Sequence, residues 1–419
     1  MRFIHLADLH LDTAFRSRSR EIREELRHAS RRALESAVDR AVKEEVDALL
    51  IAGDLFDGET LTLQTERFLG DALSRLGQAG IQTIYATGNH DPGSSSLPGG
   101  EISWPEGVSV LREPRPERIE ILRDGRPVGA VTGAGHATHR EHRDLSRSFP
   151  TPTPGLPEVG LLHTQVGGAR GADAHHLYAP SELSHLERSG YDYWALGHVH
   201  VRQALSDDPP IHYPGNTQGR TPRETGPKGG LLVELPPAGS PRIRFLELGS
   251  IRWERLMLDG LAEEERIEGL SRRIEAAWRE ARADDPGTGR TRWILRVELA
   301  GASLLHRELD REETREELCN VLAASLGLLA VDLRTERLRP AQNVADHLNR
   351  TDVLGEALRL AHRLAGPEGP SPSEALELDE SELAGFDLGG GRSVDEYLRG
   401  LLEGTDADLL DLLLDREAP

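Results

Sequence analysis

The sequence predicts an α/β fold, and three observations carry that expectation. Apolar runs alternate with stretches of helical composition through the first ninety or so residues. The runs are nearly continuous rather than alternating apolar with polar, as in parallel strands covered on both faces. Several of them end in polar side chains, at the strand ends where open α/β sheets collect ligands. RFIHLA (2–7) reads as a short buried strand and residues 17–43, free of Pro and Gly, as a helix. DALLIAG (47–53) is a second buried strand, 61–79 a helix and IQTIYAT (81–87) a third strand, completing a β-α-β-α-β series. From about 108 to 135 come shorter strands separated by turns: VSVL, RIEIL and PVGAVTGA. GLLHT (160–164) and YWALG (193–197) are further apolar strands with polar ends, and IHYPG, GGLLVEL and RIRFLEL finish a mixed sheet near residue 248.

A second unit is expected over 250–340: strand (RWERLML), helix (262–283), strand (RWILRVELA), helix (308–326), strand (AVDLRTERL), with DDPGTG as the turn at 284–289. The segment 341–419 reads as a helix (351–365), a Pro/Gly/Ser linker (GPEGPSPS, 366–373) and an acidic, Leu-containing tail. In that tail VDEYLRGLLEG and ADLLDLLLD each suit a short amphipathic helix, either mobile or docked in a partner's groove.

Composition narrows the function classes. The chain has 419 residues and a formal charge of −21. Residues 371–419 alone hold 14 acidic residues against 3 Arg, so the body of the chain is only mildly acidic. A uniform basic footprint for nucleic acid is absent, although seven Arg lie between Arg16 and Arg32, where a solvated helix face is expected. No apolar run is long enough for a membrane span. The N-terminal MRFIHLADLH lacks the charge and apolar pattern of an export signal, so a cytoplasmic location is expected. A lone cysteine, Cys319, forms neither an internal disulfide nor a thiolate metal cluster.

The chemistry concentrates in five segments, each following an apolar strand: Asp8-Leu9-His10, Gly53-Asp54-Leu55-Phe56-Asp57, Gly88-Asn89-His90-Asp91, His163 and Gly197-His198-Val199-His200. A single Asp-x-His is more often a cap or turn; five such segments at strand ends converge on one crevice. Oxygen and imidazole donors without thiolate favour Mn²⁺, Fe²⁺ or Zn²⁺. Two such ions about 3.5–4 Å apart clamp a phosphate, and their charge exceeds that of Asp8 and Asp54. An acidic chain can therefore still attract an anionic phosphodiester locally.

In this order, DLH, GDLFD, GNHD, the lone His163 and GHVH resemble the calcineurin-like metallophosphoesterase signature over residues 1–248. PGNTQGRTPRETGPKGG (214–230) is similar to the loop that SbcD- and YhaO-type bacterial DNA repair exonucleases carry after their last histidine pair. The resemblance implies a four-layer α/β/β/α metallophosphoesterase sandwich, with 250–340 as a smaller α/β capping domain and 341–419 as the acidic tail. It implies two divalent metal ions, with Mn²⁺ ahead of Fe²⁺ or Zn²⁺. Metal one would take Asp8, His10, Asp54 and His200, and metal two Asp54, Asn89, His163 and His198, with Asp54 bridging. His90 matches the catalytic histidine of the family. Asp57 stands where some relatives place a second histidine; with Asp91 it is expected to orient histidine ligands. Arg220 is a candidate phosphate contact. The implied activity is a Mn²⁺-dependent 3′–5′ DNA exonuclease with single-strand endonuclease action in double-strand-break repair. It would pair with an SMC-like ATPase subunit and, as a homodimer, with a second copy of itself.

The remaining histidines read otherwise. His136, His139 and His142 are expected on an exposed helix, His175 and His176 in a loop, and His5 as a satisfied core residue. Two rival functions stay open: a phosphoesterase for nucleotides or other small phosphoesters, and a non-enzymatic scaffold. The PGNTQGR loop and the C-terminal extension of about 170 residues argue against the first.

Overall fold

The structure, a computed structural model, describes all residues except 58–60, 95–101, 173–177, 237–239, 284–286, 288, 290, 342–343, 368, 377, 379–392, 407–408 and 411–419. Two compact units divide the chain: Met1–Glu254 with Gly287–Ile294, and Arg255–Pro286 with Leu295–Pro419.

The first unit contains β1 (Arg2–Leu6), α1 (Arg20–Lys43), β2 (Ala48–Ala52), α2 (Leu63–Gln78), β3 (Gln82–Ala86), β4 (Val108–Leu111), β5 (Glu117–Arg123) and β6 (Arg126–Ala134). It continues with β7 (Glu158–His163), β8 (Gln165–Val166), β9 (Pro180–Ser181), α3 (Leu183–Arg188), β10 (Tyr193–Gly197), β11 (Gln203–Asp207), β12 (Pro210–Tyr213), β13 (Gly229–Glu234) and β14 (Arg242–Glu247). Two six-stranded sheets result, with orders β14-β13-β1-β2-β3-β4 and β11-β12-β10-β7-β6-β5. The continuous apolar runs are among the parallel strands: β1, β2, β3 and the edge strand β4 pair in parallel in one sheet, β6, β7, β10 and β12 in the other. The expected strand RIEIL is instead antiparallel to its neighbour, and β11 is a short edge strand absent from the sequence reading.

Packing explains the layering. Leu26, Ala29, Ala33, Leu34, Ala37, Val38 and Ala41 recur on one stripe of α1 and are buried. From Ala33 to Ala41 this stripe meets Ile4, Leu6, Leu49 and Ile51 on the outer face of the first sheet, as do Leu69, Leu73 and Leu76 of α2. The inner faces interdigitate through Phe3, Leu50 and Ile84 against Val131, Leu161, Tyr193 and Ala195. Beyond the second sheet Leu186 of α3 joins Trp194, Leu196 and Tyr213. This is the four-layer arrangement the family resemblance implies. His5 lies between the sheets, fully buried; its Nε2 donates to the Leu196 carbonyl (3.1 Å) and its Nδ1 accepts from the Tyr193 hydroxyl (3.0 Å). The arginines opening α1 are not simply a solvated face. Arg31 pairs with buried Asp12 at 2.9 Å, and Arg27 donates to the Thr13 carbonyl at 3.0 Å, bracing the loop after β1.

Mostly within the second unit, β15 (Ile251–Leu258), β16 (Arg292–Ser303) and β17 (Ala330–Pro340) form a three-stranded sheet with β16 central. α4 (Ile267–Ala281) buries Leu270, Ile274 and Trp278 at helical spacing. The single helix expected over 308–326 is two, α5 (His306–Asp310) and α6 (Glu312–Leu326), because Arg311 adopts an extended conformation between them. α7 (Val353–Ala365), α8 (Pro372–Ala375) and α9 (Val394–Leu402) follow. A short helix, α8, thus begins at the last two residues of the expected linker. VDEYLRGLLEG packs on its own chain: Arg399 of α9 donates to carbonyls at the end of α7 and just beyond it, including Leu364 at 3.0 Å. ADLLDLLLD lies largely outside the described residues. No helix among the described residues is long and apolar enough to cross a membrane.

Candidate metal centre

The five chemistry-bearing segments lie at the carboxyl ends of β1, β2, β3, β7 and β10, all parallel strands in the middle of the two sheets. Backbone bonds zip the first two loops together, with Asp8 N–H donating to Gly53 O (3.1 Å) and His10 N–H to Asp54 O (2.9 Å). The turns are sharp. Asp8, His10, Asp54 and His198 all have positive φ, a conformation that costs about 1–3 kcal/mol for non-glycine residues. Gly53 shares it, and a Cβ there would fall on the His163 ring. A Cβ on Gly88 would fall on the Asp54 carboxylate. Those glycines precede Asp54 and Asn89 because the backbone of one loop touches the side chain of another.

The side chains converge on two adjoining centres. Around the first, His10 Nε2 lies 3.3 Å from His200 Nε2, and Asp8 Oδ1 is 3.9 Å from His200 Nε2. Around the second, Asn89 Oδ1 is 3.0 Å from His163 Nε2 and 3.1 Å from His198 Nδ1, and those two nitrogens face each other at 3.2 Å. Asp54 Oδ2 stands between the two, 3.6 Å from His10 Nε2 and 3.5 Å from His163 Nε2. His10 and His200 each give their Nδ1–H to a carboxylate, so their Nε2 atoms face each other as lone pairs, an arrangement a cation between them would satisfy. Donor atoms about 2.1 Å from one ion are roughly 3.0–3.4 Å apart, so the donors fit divalent metals. Asp8, His10 and His200 form one compact metal-capable group, Asp8, Asp54 and His163 another, and His10, Asp57 and His90 a third.

Electrostatics agrees with that fit. Burial pushes His10, His163 and His200 each down to about 4, so near pH 7 these rings are neutral and have lone pairs to offer. Burial opposes ionisation of Asp54, but the surrounding imidazoles, His163 first, hold its carboxyl well below the usual range. Asp8 shifts the other way, pushed up by burial and the Asp54 charge.

Each of three metal-capable rings is oriented from behind. Asp57 Oδ1 accepts from His10 Nδ1 (2.8 Å), and Ala52 O accepts from His163 Nδ1 (2.9 Å). Glu224 Oε1 accepts from His200 Nδ1 at 2.7 Å. Asp57 Oδ1 also lies 3.0 Å from His90 Nδ1. His90 is 46% exposed, the most open of the group. Burial works against its charge, but the Asp57 hydrogen bond and the Asp54 charge raise it to about 9. Arg220 reaches to 4.0 Å from Asp57, and its buried Nε has no hydrogen-bond partner among the described residues.

Three expectations need correction. Asp91 does not orient a histidine through its described bonds; it accepts from the backbone N–H groups of Leu55 (2.5 Å), Phe56 (3.3 Å) and Gly88 (2.7 Å), fastening the second loop to the third. His136 is fully buried rather than helical and exposed, and its Nε2 donates to His163 O at 2.8 Å. His139 and His142 are exposed but in no helix, and His139 Nδ1 donates to Asn89 O at 2.8 Å. The signal at His136 was present: it stands two residues after Ala134, the end of β6, in the same strand-Gly-His pattern as the ligands. Glu224 carries no signal in the sequence: it sits in the loop after β12, and no strand or helix period links it to His200. His175 and His176 lie outside the described residues.

Comparisons with known proteins agree with this geometry. Residues 1–202 match the model of the calcineurin-like phosphoesterase family. The uncharacterized metallophosphoesterase YhaO of Bacillus subtilis is 34% identical over 280 residues, 66% of this chain and 67% of that protein. The DNA double-strand break repair protein Mre11 of Methanopyrus kandleri is 28% identical over 65% of this chain and 62% of its own length. One component of the nuclease SbcCD from Rhodobacter capsulatus is 27% identical over 58% of this chain and 68% of its own length. The chain thus spans about two thirds of the length of these relatives. The metal-capable side chains at the strand ends, the four-layer fold and these matches agree, and the chain belongs to the calcineurin-like metallophosphoesterase family.

Proposed function

We propose that this chain is a two-metal phosphodiesterase that hydrolyses DNA, working as a Mn²⁺-dependent 3′–5′ exonuclease with single-strand endonuclease activity. The observation that carries the chemistry is the Asp54 carboxylate standing between two donor clusters with His90 at their open side. Asp8, His10, Asp54 and His200 would hold one ion, and Asp54, Asn89, His163 and His198 the other. Divalent ions bound there would polarise a phosphate and lower the pKa of water. The chain's own groups do the rest. His90, kept protonated by Asp57, presents Nε2 to a phosphate oxygen and can deliver a proton to the departing 3′ oxygen. Arg220 offers its guanidinium to a non-bridging oxygen. The acidity of Asp57 and Glu224 behind the ligands is offset by Arg220 and the His90 imidazolium, so the loaded site still favours an anion.

DNA as substrate is supported by the relatives named for break repair and nuclease activity. The SbcCD relative is named as one part of a multi-component nuclease, which supports a second component here too: an SMC-like ATPase contributing the DNA-binding surface an acidic chain lacks. Labelled linear duplex and single-stranded DNA with Mn²⁺, set beside bis-p-nitrophenyl phosphate and p-nitrophenyl phosphate, tests the reading. Release of nucleotides and turnover of the diester are expected; turnover of the monoester alone would reject it.

A further inference from the structure

One buried carboxylate joins the metal centre to the loop that carries Arg220. Glu224 is 13% exposed, and both of its oxygens are engaged. Oε1 accepts from His200 Nδ1 at 2.7 Å, while Oε2 accepts from the backbone N–H of Arg220 at 2.5 Å and of Thr221 at 3.2 Å. The Glu224 N–H returns to Thr221 O at 3.0 Å, closing a turn around its own side chain. On the far side of the same imidazole, Nε2 faces His10 Nε2 at 3.3 Å.

Tautomer chemistry gives this geometry a consequence. A carboxylate can only accept, so Nδ1 must carry the hydrogen and Nε2 is left with its lone pair toward the metal centre. The negative charge behind the ring also makes that nitrogen a stronger donor to a cation. The two backbone contacts suffice to close the turn, and the second oxygen ties that turn to the metal centre.

We infer that Glu224 is a positioning residue: it fixes the metal-binding face of His200 with one oxygen and the backbone of Arg220 with the other. One carboxylate thereby couples filling of the Asp8–His10–His200 site to presentation of the Arg220 guanidinium. The inference rests on the proposed roles of His200 as ligand and Arg220 as phosphate contact.

The test is titration of the full-length, metal-free chain with Mn²⁺, followed by calorimetry and electron paramagnetic resonance, for wild type, Glu224→Ala, Glu224→Gln and His200→Ala. His200→Ala should remove one of two sites. Glu224→Ala should weaken that same site about 10–100-fold and leave the other at wild-type affinity. Glu224→Gln should fall between, since its amide oxygen still accepts from Nδ1 but brings no charge. A merely structural glutamate would lower thermal stability without separating the two affinities. If Glu224→Ala does not fold, Glu224→Gln decides alone. Two wild-type affinities in the Glu224 variants, alongside a lost site in His200→Ala, would overturn the inference and leave the ligand set standing. Two intact sites in His200→Ala would overturn both.

Discussion

Asp57 faces a candidate metal-binding histidine and the candidate acid at once, and Asp57→Asn perturbs both contacts, each with its own readout. Its Oδ1 lies 2.8 Å from His10 Nδ1 and 3.0 Å from His90 Nδ1, while Oδ2 accepts from the Thr13 hydroxyl at 2.9 Å. Asparagine keeps the shape and one acceptor but removes the charge. Among the influences that raise His90 to about 9, against burial, the Asp57 hydrogen bond is the largest. Losing it should bring His90 down by about one to two units. At pH 7.5 a group with a pKa of about 9 is roughly 97% protonated, and one at about 7 only about a quarter. In the metal-free chain the protonated fraction of His90 at that pH therefore falls by up to about fourfold. His10 also loses its charged partner, which should weaken metal binding about 10–100-fold. The assay is nitrogen-15 histidine NMR of the metal-free chain from pH 5 to 10, paired with bis-p-nitrophenyl phosphate turnover at saturating Mn²⁺. A His90 titration still near 9 in Asp57→Asn would refute the reasoning.

Three further outcomes follow from the same geometry. His90→Ala should retain both metals by elemental analysis while diester cleavage falls about 10²–10⁴-fold; undiminished cleavage would remove His90 from the mechanism. Asp54→Ala should lose both ions, because its Oδ2 faces both clusters at 3.5–3.6 Å, and a protein still carrying two would contradict the shared carboxylate. Gly53→Ala should lower stability by about 1–3 kcal/mol in denaturant unfolding of the metal-free chain, since its φ is +86° and the new methyl meets the His163 ring; an unchanged midpoint would show that the loops are not in contact.

Much of this centre was legible in the sequence because a strand buried on both faces advertises itself. DALLIAG and YWALG have no polar residue to spare until the chain leaves the sheet, so the first polar groups after them mark the crevice. The division into two sheets was not legible from the runs themselves, since parallel strands of either sheet look alike; it came only with the family resemblance. Contacts between loops were hidden as well. Asp91 and Glu224 are separated from their partners by loop geometry rather than by a helical or strand period, so no spacing announces them. No carboxylate-bearing strand end accompanies His136 in the sequence, yet its part is to hold the His163 carbonyl, which needs none. In the second unit Arg311 divides a helix that composition alone leaves whole.

The central claim is that one carboxylate is shared by twin cations. Crystals grown with Mn²⁺ and measured at its absorption edge test it most directly. Two anomalous peaks about 3.5–4 Å apart, each within bonding distance of Asp54, are the predicted result; a single peak, or a pair with Asp54 bound to only one, would contradict it.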